Sequence, residues 1–158
     1  MGGRLGADQR PSLCYGTKPC RSASETLDGI FCFSLHSAKA KACKCEVYTD
    51  LDWIVDGDTV VRPDVMIVCG EPVEKYLEYP PRWIVEILSQ STAFRDQIVK
   101  KELYAEQGVK YYLIADPNNK IISVFELIDG EYQTKPDDKF DLTDYCAITL
   151  DMEAIMAA

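Results

Sequence analysis

Arg82-Trp83-Ile84-Val85-Glu86-Ile87-Leu88-Ser89 is the stretch on which the fold turns. Trp83–Leu88 is nearly all apolar, the mark of a strand covered on both faces. One carboxylate interrupts it. An unpaired buried carboxylate costs several kcal/mol, or its pKa rises until the group is neutral. Glu86 must therefore meet a cation, either a side chain or a metal.

Working outward toward the N-terminus, Glu71–Pro81 is polar and carries prolines at 72, 80 and 81, which reads as a loop holding a short helical turn. Before it, Cys45–Val55 and Thr59–Val68 flank Asp56-Gly57-Asp58. Asp-Gly between β-rich runs predicts a hairpin whose turn residues take positive φ. The second run alternates, with Arg62, Asp64, Met66 and Val68 on one side and Val61, Pro63, Val65 and Ile67 on the other. Pro63 marks an edge or a bend.

Working toward the C-terminus, Ser89, Ser91 and Thr92 offer helix N-caps. A helix is expected from Ala93 to Gln107, ended by Gly108 as C-cap. At about 100° per residue, Arg95, Glu102 and Glu106 share the wet face, and Lys100 and Tyr104 lie roughly opposite, toward the sheet. Tyr111–Ala115 is the next strand, Asp116-Pro117-Asn118-Asn119 a turn, and Ile121–Ile128 the return. Asp129-Gly130 makes a hairpin into Glu131–Thr134. Pro136–Lys139 is a loop, Leu142–Leu150 holds a last short strand, and Asp151–Ala158 suits a terminal helical turn. Strands, one well-marked helix and more strands make a mixed α/β (α+β) domain. Residues 1–44 form a segment of poor periodicity, set apart from a domain over 45–158.

The chain has 158 residues, enough for one domain with a real core. No apolar run approaches the ~20 residues of a membrane span, and the N-terminus lacks the order of a secretory signal, so a cytoplasmic protein is the expectation. The formal net charge of −9 opposes sequence-independent nucleic-acid binding, which draws most of its affinity from neutralising phosphates. Any DNA contact needs a local basic patch or a bridging divalent cation. Seven cysteines, an odd number with no Cys-x-x-Cys pair, point to reduced thiols rather than a disulfide framework. Neither Cys43-Lys44-Cys45 nor His36 has the spacing of a zinc site.

Two carboxylates delivered by adjacent strands, Asp64 and Glu86, can share a hard divalent cation, and oxygen ligands suit Mg²⁺ or Mn²⁺. The competing readings are structural. Asp64 taken alone reads as a turn or strand-entry aspartate, and Glu86 as the partner of Lys100 or of an arginine in a buried ion pair. Lys100 itself has i,i+4 spacing from Asp96, which would fit a helix-surface salt bridge. Its inward face fits a site role instead, since a lysine there stabilises charge developing on a phosphate. Asp96, Gln97 and Tyr104 are candidates to line the same cleft, and Gln107 lies nearby; Tyr104 would alternatively pack the helix on the sheet.

Four blocks in order resemble the signature of a known family: Arg62-Pro63-Asp64-Val65; Val85-Glu86-Ile87-Leu88-Ser89-x-Ser91-Thr92; Asp96-x-x-x-Lys100-x-x-x-Tyr104; and Gly108–Pro117. The chain resembles the Uma (Uma-two) family of the PD-(D/E)xK nuclease superfamily over about Cys45–Tyr132. The resemblance implies a restriction-endonuclease-like mixed central sheet flanked by helices. It implies Asp64 and Glu86 as metal ligands, with the Ile87 carbonyl as a third, and Mg²⁺ (or Mn²⁺) as cofactor. The usual superfamily lysine would stand at position 88, where this chain has Leu88; in the resembled family it is moved onto the following helix, where Lys100 stands. Glu25–Gly29 and His36 resemble the opening family block, but too few residues separate Gly29 from Cys45 for the usual long helix. A partner subunit covering the exposed face, hence a homo-oligomer such as a dimer, is expected.

The leading expectation is a Mg²⁺-dependent nuclease hydrolysing phosphodiesters, with Asp64, Glu86 and Lys100 as catalytic residues and Lys100 assisting the attacking water. Two alternatives stand beside it: a domain of the same fold that binds a partner and has lost catalysis, and an interaction domain held by a Glu86–Lys100 ion pair.

Overall fold

A computed structural model describes residues 43–89 and 94–156, the side chains of Arg95 and Asp96 excepted. The opening family block, His36 and the caps Ser91 and Thr92 lie outside the described residues, as does nearly all of the segment 1–44.

The centre is a six-stranded mixed sheet. In spatial order it runs β1 (Cys45–Thr49), β4 (Val65–Cys69), β5 (Trp83–Ile87), β6 (Tyr111–Asp116), β7 (Ile121–Ile128) and β8 (Glu131–Thr134). Two short strands, β2 (Trp53–Ile54) and β3 (Val60–Val61), pair with each other, and so do β9 (Lys139–Thr143) and β10 (Cys146–Thr149). The pair β5–β6 is parallel, and its connection carries helix α1 (Phe94–Glu106), as a parallel crossover requires. A short helix α2 (Met152–Met156) ends the described chain.

Both faces of the sheet are covered, which is why β4 and β5 read as apolar runs. Cys45, Val47, Val65, Ile67, Trp83, Val85 and Leu113 face a cluster closed by Phe140, Ile148 and Ile155 from β9, β10 and α2. Met66, Val68, Ile84 and Tyr112 face a second cluster closed by Trp53, Leu77 and the helix residue Tyr104. Alternate residues of one strand thus enter different cores, as the period of two predicts. Each large apolar side chain so buried is worth about 1.5–3 kcal/mol. Among the described residues no helix is long and apolar enough to cross a membrane.

The helix ends as expected, with Gly108 at φ 77° and its N–H donating to the Ala105 carbonyl. Asp129-Gly130 is the expected tight turn, at φ 51° and 84°. Four expectations need correction. Asp56-Gly57 makes a longer loop without positive φ: the Asp56 carboxylate accepts the Asp58 and Thr59 N–H groups at 3.0 and 2.9 Å, so a side chain does the turning that left-handed backbone was expected to do. Residues 71–81 hold no helical turn; Leu77 instead bridges Trp53 in parallel and drops into the second core. The region after Pro136 holds two strands rather than one, because Phe140 and Leu142 alternate with exposed Lys139 and Asp141 and thus supply the apolar face of β9.

The last correction concerns the thiols. Cys43 is joined to Cys146 and Cys45 to Cys69. Cys45 and Cys69 stand opposite each other in the β1–β4 ladder, while Cys43 packs against the cluster that contains Cys146. The partners are 24 and 103 residues apart, so linear spacing carried no sign of either pairing.

Candidate functional site

The run expected as one strand from Thr59 to Val68 breaks at Arg62-Pro63-Asp64, between β3 and β4. Pro63 lacks the N–H that a continuous ladder needs. The break leaves Asp64 at the mouth of β4 rather than inside it. The β4–β5 register pairs Val65 with Val85, Met66 with Ile84 and Ile67 with Trp83; one further step sets Asp64 opposite Glu86. Asp64 continues the Met66 and Val68 side of the sheet, and Glu86 the Ile84 side. Both therefore lie on the face that α1 covers. Where the ladder runs out, the Asp64 carboxylate takes over: its Oδ2 accepts the Ile87 N–H at 2.7 Å.

Glu86 is buried, the one charged residue in the core of the described chain. Its two oxygens have different partners. Tyr104 donates its hydroxyl to Oε1 at 2.5 Å, and Lys100 Nζ lies 3.3 Å from Oε2. Both donors come from α1, four residues apart, one turn above the other. The opposite helix face, with Glu102 and Glu106, is exposed. The Lys100 side chain is 27% exposed and that of Glu86 10%, so the pair opens to solvent on the lysine side.

Burial pushes the Glu86 carboxyl above its ordinary range. The Tyr104 hydrogen bond and the Lys100 charge pull it down, and the Asp64 charge adds a smaller upward push. Desolvation dominates: the two donors offset the cost of burying this charge only in part. The Tyr104 phenol is raised too, by its own burial first and then by the Glu86 charge, and so it stays protonated and keeps donating.

The structure thus brings Asp64, Glu86, Lys100 and Tyr104 together on one face. Ile87 ends β5 with its side chain against the other core. Gln97 is half-buried on α1, three residues before Lys100. Asp96 lies on α1 with its side chain outside the described residues. Leu88 follows β5 half-buried, and its N–H donates to the Ala115 carbonyl. Two features had no sequence reading: the bond from the Ile87 N–H to Asp64, and the grip of Tyr104 on Glu86. The i,i+4 spacing of Lys100 and Tyr104 was the available sign of the second.

As a donor set for a divalent cation, the described residues offer two carboxylates, and no group of three or more His, Cys, Asp or Glu side chains comes together among them. Two carboxylates with a backbone carbonyl suit Mg²⁺ or Mn²⁺, hard ions that keep several waters and take one or two carboxylates. The donor chemistry fits.

Residues 17–152 match the Uma2 family model, described as "Putative restriction endonuclease". Among solved structures, a protein from Anabaena variabilis described as a "putative nuclease" is similar at 15% identity and a TM-score of 0.68, with 85% of this chain and 80% of that one covered. At that identity the likeness concerns the fold, which is restriction-endonuclease-like. A DrdV–DNA complex is similar at 18% identity over 65% of this chain and 9% of that one, with a TM-score of 0.38, too low to carry argument. No curated protein matches the chain.

Proposed function

The chain belongs to the Uma2 family of restriction-endonuclease-like proteins, and on that premise we propose that it is a Mg²⁺-dependent nuclease acting on nucleic-acid phosphodiesters. The observation that carries the reading is Glu86: a buried carboxylate, opposite Asp64 by register, on the face where α1 presents Lys100. A carboxylate whose burial is only partly offset by its protein partners suits a site that gains from a further cation.

In this reading Asp64, Glu86 and the Ile87 carbonyl hold Mg²⁺ or Mn²⁺, which when bound supplies positive charge to polarise a phosphoryl oxygen. Asp64 would keep its position for the ion through the Ile87 N–H. Lys100, on the solvent side of Glu86, orients the attacking water and stabilises charge developing on the phosphate. Gln97, half-buried on the same helix, lines the approach. The net charge of −9 makes the cation and Lys100 the local means of meeting a polyanion such as DNA. We further propose that the protein is a homo-oligomer.

The test is cleavage of a labelled duplex and of a labelled single strand in Mn²⁺ or Mg²⁺, with EDTA as control. Wild type should cut, while Asp64→Asn and Glu86→Gln should not. A second reading, a partner-binding domain that has lost catalysis, is favoured by the same acidic charge. Absence of cleavage together with retained Mn²⁺ binding would select it.

A further inference from the structure

The two oxygens of Glu86 are held in unequal ways. The Tyr104 hydroxyl lies on the buried side. Its ring is wedged between Trp53, stacked at 6.0 Å between centroids, and Tyr112, edge-on at 5.3 Å. Tyr104 has no exposed surface, so its hydroxyl needs a partner inside the protein. Glu86 Oε1 is that partner: the Tyr104 phenol donates to it at 2.5 Å. Oε2 faces the half-buried Lys100 ammonium, toward solvent.

The geometry points to Tyr104 as a positioning residue that fixes the Glu86 carboxylate and leaves a single oxygen, Oε2, for a cation, thereby selecting small octahedral ions over Ca²⁺. This rests on the reading of Asp64 and Glu86 as a metal site. The physical basis is coordination. Mg²⁺ demands near-ideal octahedral geometry and takes carboxylates sparingly, whereas Ca²⁺ takes 6–8 oxygens in flexible shells and accepts carboxylates with one or both oxygens. A carboxylate anchored at Oε1 by a wedged ring cannot turn to offer both. Lys100 does not set this restriction: it holds the outward oxygen, and its exposed side lets it move as a cation enters.

The test is the ratio of Mn²⁺ to Ca²⁺ affinity, measured by calorimetry and by competition in one preparation, for wild type, Tyr104→Phe and Tyr112→Phe. The phenylalanine keeps the ring wedge and removes only the hydroxyl. Loss of a group that orients a metal ligand typically costs 10–100-fold in affinity. Tyr104→Phe should therefore weaken Mn²⁺ by about 10–100-fold and Ca²⁺ by less, so that the ratio falls about tenfold. A ratio from one sample does not depend on the folded fraction, so a general loss of stability would leave it unchanged. Tyr112→Phe removes another buried hydroxyl from the same cluster and should keep the wild-type ratio. Wild-type Mn²⁺ binding with an unchanged ratio in Tyr104→Phe would overturn the positioning role while leaving the metal site standing. A fall of equal size in Tyr112→Phe would overturn it as well, since the effect would then belong to the cluster. Absence of Mn²⁺ binding to wild type would overturn the metal site and, with it, this inference.

Discussion

Glu86→Gln separates the two explanations of a buried carboxylate, because it keeps the shape and removes the charge. At the 3.3 Å between Lys100 and Glu86, and with an effective dielectric near 20, the Coulomb attraction is about 5 kcal/mol. Burying the charges costs several kcal/mol per ion in return. The upward direction of the Glu86 pKa, with desolvation as its largest cause, says that the cost exceeds the compensation at this carboxyl. In EDTA near pH 7.5 the glutamine variant should thus match or exceed wild type, by about 1 kcal/mol. Tyr104 can still donate to the amide oxygen, and the partly exposed Lys100 can turn to water. The pH dependence has a definite sign. A carboxyl raised in the fold adds stability that is fully present below its unfolded value, about 4.5, and lost as the pH rises through its folded value. Within that window the wild type should lose up to about 1.4 kcal/mol per pH unit from this group, and Glu86→Gln should not. Urea unfolding at several pH values, with EDTA, reads both effects. In Mn²⁺ the order should reverse, since an ion at 100 times its Kd adds about 2.7 kcal/mol to the folded state that binds it. A loss of about 3–5 kcal/mol for Glu86→Gln in EDTA, the mark of a broken buried pair, would refute the reasoning and make the Glu86–Lys100 pair structural.

Asp64→Asn should keep an acceptor for the Ile87 N–H, lose less than about 1 kcal/mol, and abolish the Mn²⁺-induced rise in melting temperature; a rise that survives would place the ion elsewhere. Lys100→Ala should lower turnover by about 10²–10³-fold, as for removal of one electrostatic stabiliser, and equal cleavage by variant and wild type would end its catalytic assignment. Lys101→Ala should leave turnover unchanged and cost about 0.5–1 kcal/mol, because its ammonium sits 4.0 Å over the Phe125 ring rather than at Glu86; thermal melting and the cleavage assay check the two halves. Gly108→Ala should lower stability by about 1–2 kcal/mol at φ 77°, and a variant as stable as wild type would show that the helix end relaxes.

The strands of the central sheet and the helix were legible because each obeys one period. Trp83–Leu88 was readable as doubly covered, and the inward face of α1 followed from 100° per residue. What the sequence hid was set by partners far along the chain. The Asp56 loop depends on whether a side chain or the backbone makes the turn, and Asp-Gly permits both. Leu77 enters the core only because β2 passes beside it. The pairing of the cysteines follows from which strands become neighbours. At the site, Glu86 announced its need for a cation, but Tyr104 reads equally as packing and as a donor until the ring is placed.

The position of the lysine is the point where strand and helix geometry meet. A lysine two residues after Glu86 would share its face, since side chains on a strand alternate. Leu88 stands there, beyond the end of β5 and half-buried. Helix α1 crosses the same face, as its Tyr104 in the second core requires, and a residue one turn earlier on its inward side reaches the edge of that core. Lys100 is that residue, 3.3 Å from Oε2. A cation from the helix therefore occupies the neighbourhood a strand lysine would have reached, with the difference that it shares its element with the tyrosine that grips Oε1. Any tilt of α1 would move both partners of Glu86 at once. Variants that loosen the packing of α1 on Trp53 should on this ground weaken the hold on both oxygens together, whereas a strand lysine would have kept its own register.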